Sequence, residues 1–237
     1  MSKINLALDK LKTDLINNIS IINFINNNKI FSVDVIGNSI LVKGESDRKW
    51  VYICCPDKDR LNILKRYLDA DDINFAAVDE WMYPVLTEGK KTEWELTAIQ
   101  FYLPEDVLPQ PSEFETVSLT KGDAEIVYEN SDYKKYISLE YVTDRIVNGI
   151  SAGIYVNDNL VSWAITQDDG AIGFLHALDD YRNKGYGFSV MLSMIEKLRE
   201  GGQLPFAYAE KDNEKSLNLL LKLGFRKNKS VRWFEIK

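Results

Sequence analysis

Asp180-Tyr181-Arg182-Asn183-Lys184-Gly185-Tyr186-Gly187 is the stretch from which this chain is best read. It contains Arg-x-x-Gly-x-Gly, follows an apolar run and precedes an amphipathic segment from Phe188 to Arg199. A strand is therefore expected to feed a glycine-bearing turn that opens a helix. Such a turn leaves several backbone N–H groups without intrahelical partners, with the positive end of the helix behind them. Glycines let that backbone approach a ligand closely, and Arg182 and Lys184 add positive charge. The physical expectation is a cradle for phosphate. Alone, the pattern fits a plain strand-to-helix turn as well.

A second segment gives the loop its context. Asp212-Asn213-Glu214-Lys215-Ser216 leads into Leu219-Leu220-Leu221-Lys222-Leu223-Gly224-Phe225. Asn213 is suited to cap a helix, Ser216 lies one turn in, and Gly224 is the stop. The order is strand, Arg182-to-Gly187 loop, helix, strand at Phe206 to Glu210, helix from Asn213 to Leu223, and a last strand at Ser230 to Ile236. Before the loop, strands are expected at Ser151 to Val156, Leu160 to Thr166 and Ala171 to Leu178. Asn157-Asp158-Asn159 and Asp168-Asp169-Gly170 form the turns between them. Thr116 to Leu119 reads as a strand, and Ala124 to Glu129 and Leu139 to Val147 as helices.

Upstream, Leu8, Leu11, Leu15, Ile19 and Ile22 fall at helical spacing between Ile4 and Ile25. Gly37-Asn38 joins strands Ile30 to Ile36 and Ser39 to Val42 as a hairpin. Trp50 to Cys55 is a strand closed by Pro56-Asp57, and Leu61, Leu64 and Leu68 stripe a helix starting near Asp57. Ile73 to Val78 and Trp94 to Leu103 are further strands. Pro104 to Pro111 carries three prolines and no periodic pattern, so it is the expected boundary between domains at 1–110 and 113–237. A hairpin meander feeding a strand–helix–strand–helix unit predicts an α+β fold with a mixed α/β sheet, not a doubly wound one.

Composition bounds the function. In 237 residues, 45% are hydrophobic and 27% charged, as in an ordinary globular protein. No apolar run approaches the roughly 18 to 20 residues that span a bilayer. No secretory pattern opens the chain, so a cytoplasmic location and no membrane partner are expected. The net charge of −7 with no basic run argues against nucleic acid and suits small or cationic substrates. Cys54 and Cys55 are adjacent and read as buried strand residues. His176 is the single histidine, which excludes a metal site needing two, and no metal is expected. Gly-x-Gly-x-x-Gly and Gly-Lys-Ser/Thr are both absent, so neither a nicotinamide or flavin Rossmann site nor a nucleoside-triphosphate loop fits.

Taken in order, these segments resemble the GNAT N-acyltransferase superfamily, whose signature loop binds the pyrophosphate of coenzyme A. Leu160-Val161-Ser162-Trp163 and the run from His176 to Arg182 look like its glycine N-acyltransferase-like branch. The resemblance covers residues 113–237. Residues 1–110 are similar only in layout to a degenerate, coenzyme-free half that precedes the catalytic half in that branch. It implies an acyl-CoA, acetyl-CoA or another, as cosubstrate, and a primary amine of a small molecule, amino acid or peptide as acceptor. The amides of Asn183, Lys184, Gly185, Tyr186 and Gly187, beside Arg182, would hold the pyrophosphate. The main chain of Leu175 and Ala177 would pair with the pantetheine amides, and Asn213 and Ser216 would contact the pantetheine or the phosphate end.

Acyl transfer to an amine needs a neutral amine, a polarised carbonyl and a leaving thiolate. Some family members place a base glutamate eleven residues before the loop arginine, and here that residue is Ala171. Many place a tyrosine acid seven residues after the asparagine, and here that residue is Leu220. A thiolate with a pKa of about 8.5 leaves without strong help, so the base is the open question. By strand alternation Ala171, Gly173, Leu175 and Ala177 share one face and His176 points to the other, into the core, unless a bulge intervenes. Phe206, Tyr208 and Glu210 share a face of the neighbouring strand. Glu210 is then expected as base or amine anchor and Tyr208 as acid or water holder. The alternative is a coenzyme-binding or protein-interaction module that has lost its chemistry.

Overall fold

Two carboxyl and hydroxyl caps set the N-terminal helices of the structure, a computed structural model describing residues 2–237. Ser2 accepts from the Asn5 N–H at 3.2 Å and opens α1 (Lys3–Leu11). Asp14 accepts from the Asn17 N–H and from Asn17 Nδ2 at 2.8 Å and opens α2 (Leu15–Asn27). The apolar stripe from Ile4 to Ile25 is thus two helices, because Asp14 leaves helical geometry (φ −137°, ψ 72°) to serve as a cap.

A hairpin follows, β1 (Lys29–Ile36) and β2 (Ser39–Glu45), turned at Gly37 with φ +61°. Then come β3 (Lys49–Cys54), α3 (Lys58–Leu64, capped by Asp57), β4 (Asn74–Asp79), α4 (Tyr83–Leu86) and β5 (Thr92–Tyr102). Beyond the proline-rich stretch lie α5 (Ala124–Glu129), α6 (Leu139–Asn148), β6 (Ser151–Val156), β7 (Asn159–Thr166) and β8 (Ile172–Ala177). The chain ends in α7 (Tyr186–Glu200), β9 (Phe206–Glu210), α8 (Glu214–Lys222) and β10 (Arg226–Ile236). The architecture is mixed α/β, as the pattern predicts.

Contacts divide the chain into two units. The first takes Met1–Gln100, Ala209–Asp212 and Lys227–Lys237, and the second takes Phe101–Tyr208 and Asn213–Arg226. In the first, the strand order is β1-β2-β3-β4-β10-β5, with β1, β2 and β3 antiparallel, β3 parallel to β4, and β10 antiparallel to β4. Its core joins Leu41, Val51, Leu61, Leu64, Phe75 and Phe234. Phe234 stacks on Phe75 at 4.9 Å and takes the Tyr83 ring edge-on at 5.0 Å. It is fully buried, so Phe234→Ala is expected to cost about 3 to 5 kcal/mol in chemical denaturation. A loss below about 1 kcal/mol would contradict this packing.

Cys54 is half-buried and Cys55 buried, and neither is bridged. Burial pushes the Cys54 thiol up to about 11. Lys43, itself buried, and Lys49 bond to the carboxylates of Asp69, Asp71 and Asp72. Burial pushes the Asp72 carboxyl up, but hydrogen bonds from Lys43, the Asp69 N–H and Lys49 outweigh it and hold it below the usual range.

In the second unit the order is β9-β8-β7-β6. β6, β7 and β8 form an antiparallel meander, with Asn157 and Asp158 both at positive φ in its first turn. β8 and β9 are parallel, with Ile172 opposite Ala207. Helix α7 packs on β6, β7 and β8. Trp163 and Ile165 instead join Val127, Val142 and Ile146 of α5 and α6. The expected strand at Thr116 to Leu119 is reduced to one bridge, Val117 to Gly153. The Leu119 N–H bonds to the Ser151 hydroxyl instead of a ladder partner, and Thr120 begins a capping box with Asp123.

Candidate functional site

Between β8 and α7 the backbone alternates between extended and left-handed conformations. Arg182 is extended, Asn183 has φ +58°, and Gly185, at the N-cap of α7, has φ +86°. That last value is why glycine is needed there. No side chain caps α7. The Ser189 N–H reaches the Gly185 carbonyl at 3.0 Å. Among the described residues, none accepts from the N–H groups of Asn183, Lys184, Gly185, Tyr186 or Gly187. A Cβ at Gly187 would meet no atom within 4 Å, so the space beside these donors is open. One at Gly185 would come within 3.3 Å of the Phe114 ring and 3.6 Å of a Glu113 carboxylate oxygen.

The side chains around the loop brace it. Arg182 Nε donates to the Ala177 carbonyl at 3.0 Å, and its guanidinium pairs with Asp179 at 2.6 Å. Both partners are exposed, so this pair adds little stability but ties the loop to the end of β8. Lys184 lies 5.5 Å from the Tyr181 ring. Tyr186 packs on Phe114 at 4.5 Å and on Tyr181 at 5.9 Å. The donor set and the open space fit an anionic pyrophosphate.

β8 departs from simple alternation. Trp163 is opposite His176 and Ile165 is opposite Gly173, so Ala164 faces two residues, Phe174 and Leu175. Phe174 has φ +53°. This is a bulge, and it re-aims the side chains beyond it. Leu175 lies in the bulge and Ala177 at the strand end, both half-buried. His176 is half-buried and stacks on Trp163 at 4.9 Å. Burial, and then the charge of Arg182, hold its imidazole below the usual value, so it is neutral at pH 7.

A buried acid stands in the turn just before β8. Asp169 is 2% exposed. Its Oδ1 accepts from the Ala171 N–H at 3.0 Å, and its Oδ2 accepts from the Tyr208 hydroxyl at 2.9 Å. Burial, and then the charge of Asp168, push its carboxyl up to about 7, against the pull of those two hydrogen bonds. Asp168 in turn accepts from the Tyr141 hydroxyl of α6 at 3.1 Å. Asp-Asp-Gly between strands signals a turn, and nothing in spacing links residues 169 and 208.

Ala171 and Leu220 are both buried and apolar. Tyr208 groups with the loop in the second unit, whereas Glu210, the last residue of β9, groups with the first. Asn213 is exposed, and its Oδ1 caps α8 by accepting from the Ser216 N–H at 3.1 Å. Asn213→Ala should therefore cost about 1 kcal/mol of stability. Equal melting free energies would show the cap to be idle.

Residues 149–234 match the family model described as FR47-like protein. No curated protein matches the chain. Among solved structures, a Drosophila protein is 19% identical, with 100% of this chain and 97% of that one covered and a TM-score of 0.83. The fold is that of the GNAT acetyltransferases. A GCN5-related N-acetyltransferase from Kribbella flavida is 12% identical, covers 93% of this chain and 94% of its own, and has a TM-score of 0.58. A GCN5-related N-acetyltransferase-like protein from Streptococcus suis is 16% identical, with 97% and 99% covered and a TM-score of 0.53. The likeness in fold thus extends over nearly the whole chain, while the family model falls on residues 149–234. No helix among the described residues is long and apolar enough to cross a membrane.

Proposed function

We propose that this chain is an acyl-CoA-dependent N-acyltransferase, an acetyltransferase of the glycine N-acyltransferase-like kind, acting on a primary amine of a small molecule, amino acid or peptide. The observation that carries the reading is the row of unengaged N–H groups from Asn183 to Gly187 beside the open space at Gly187. In this reading those amides, with the charge of Arg182 and Lys184, hold the pyrophosphate. The main chain of Leu175 and Ala177 aligns the pantetheine arm. The coenzyme supplies an activated acyl thioester. The protein's own work is to fix its carbonyl, keep water away and give the amine's proton a destination. Residues 113–237 are the catalytic half and residues 1–110 its degenerate, coenzyme-free counterpart. Two residues of β9 serve the acceptor, Glu210 as base or amine anchor and Tyr208 as acid or water holder. The protein works in the cytoplasm.

A second reading is a coenzyme-binding or protein-interaction module, favoured by the buried, apolar Ala171 and Leu220 where family members carry proton donors and acceptors. The acyltransferase and the coenzyme-binding module both require the coenzyme, whereas a protein-interaction module does not. Calorimetric titration with acetyl-CoA should show one site on the chain. Absence of binding at millimolar coenzyme would sink the first two and leave the protein-interaction module.

A further inference from the structure

We propose that Tyr208 and Asp169 form a two-residue proton relay, in which Tyr208 takes the acceptor amine's proton at its hydroxyl oxygen and Asp169 stores the hydroxyl proton. The inference rests on the acyltransferase reading above and supplies the base that Ala171 lacks. An ionised carboxylate that is 2% exposed is costly unless charge or hydrogen bonds compensate it. Among the described residues Asp169 pairs with no cation, and its partners are one amide and one phenol. Structural carboxylates of this chain look different, since buried Asp72 sits between two lysines.

The placement is also informative. Asp169 Oδ1 accepts from the N–H of Ala171, which fixes the carboxylate just before β8 with its other oxygen on Tyr208. Tyr208 follows Ala207, whose partner Ile172 begins β8, and it is half-buried, with its hydroxyl on the acid. Asp168 lies alongside, and Tyr141 of α6 holds Asp168. Arg145, 5.9 Å from the Tyr141 ring, is paired with Asp144.

The step balances. A neutral amine's nitrogen attacks the thioester carbonyl carbon and an N–C bond forms. Its proton passes to Tyr208 Oη while the Tyr208 O–H proton passes to Asp169 Oδ2. The C–S bond breaks and its electron pair leaves on sulfur as thiolate. Asp169 then returns one proton to solvent.

The test combines a 13C NMR titration of the Asp169 carboxyl with pH–rate profiles of thiol release. Acetyl-CoA is used with glycine, spermidine and a lysine peptide as acceptors. The carboxyl should titrate near neutrality, and the acid limb of the rate should share its midpoint. Asp169→Asn and Tyr208→Phe should each lower kcat by about a hundredfold and remove that limb, with acetyl-CoA affinity unchanged. Tyr208→Phe deletes one oxygen and keeps the ring, so it guards against misfolding of the first variant. With the relay as base, Glu210 is left as amine anchor, so Glu210→Gln should raise the KM for the amine and keep the limb. A limb that survives both relay variants, or disappears in Glu210→Gln, overturns the relay alone. So does a carboxyl that titrates in the ordinary aspartate range. A wild-type protein that binds acetyl-CoA and turns over no amine overturns the acyltransferase reading, and the relay with it.

Discussion

Gly187→Trp is expected to weaken acetyl-CoA binding by at least about a hundredfold, or 2.7 kcal/mol, in a protein that remains folded. The position carries ordinary helical φ, since the positive-φ glycines include Gly185 but not Gly187. A Cβ there meets nothing within 4 Å, so the first atom of the new side chain meets no clash. The room is the point. It lies beside N–H groups from which no atom of the described residues accepts, and an indole placed there displaces whatever anion the loop holds. Unchanged affinity with unchanged circular dichroism would remove the loop as the coenzyme site. Gly185→Val is a different experiment. Its φ of +86° makes a β-branched residue strained, and lost binding would then be confounded with lost structure.

The second large effect is on stability. The folded state raises the Asp169 carboxyl to about 7, above its unfolded value of roughly 3.9. The folded protein therefore binds more protons than the unfolded one between these values. Its stability from this group is fully present below about pH 4 and is lost as pH rises to about 7, by on the order of 4 kcal/mol. Asp169→Asn carries no such charge, and it can keep both contacts if its oxygen accepts from Ala171 and its amide donates to the Tyr208 oxygen. The melting temperature of Asp169→Asn minus that of wild type should thus rise from near zero at pH 4 to a plateau above pH 7. The difference cancels other carboxylates, such as Asp72, whose lowered value works in the opposite sense. A flat difference across that range would show that Asp169 is ionised like an ordinary surface acid. The same acid is then costly to the fold and of use to the proposed chemistry, a pattern common at working sites.

Much of this was legible in the sequence because the signals are local. Gly37-Asn38 and Asn157-Asp158 announce their turns by the φ they need. Asn213 announces a cap, and the Arg182-to-Gly187 loop a helix start. What the sequence hid depends on partners far along the chain or on one unusual dihedral. The bulge at Phe174 carries φ +53° on a bulky aromatic residue, which no propensity suggests. It breaks the alternation on which the reading of His176 relied. Asp14 leaves helical geometry inside an unbroken apolar stripe because its carboxylate finds the Asn17 N–H. The Asp169–Tyr208 pair joins a turn to a strand 39 residues later. Such pairs emerge only from sheet register, and Asp-Asp-Gly gives no hint of which carboxylate turns inward.

In the proposed function the loop presents an acyl thioester to an amine. The most direct measurement is amine-dependent release of coenzyme A thiol from acetyl-CoA, followed with a thiol reagent across a panel of amino acids, polyamines and peptides. Release is expected with at least one amine, the product gaining the mass of one acetyl group, and none from the Gly187→Trp protein. Tight binding of acetyl-CoA with no amine-dependent release from any member of the panel would contradict that function.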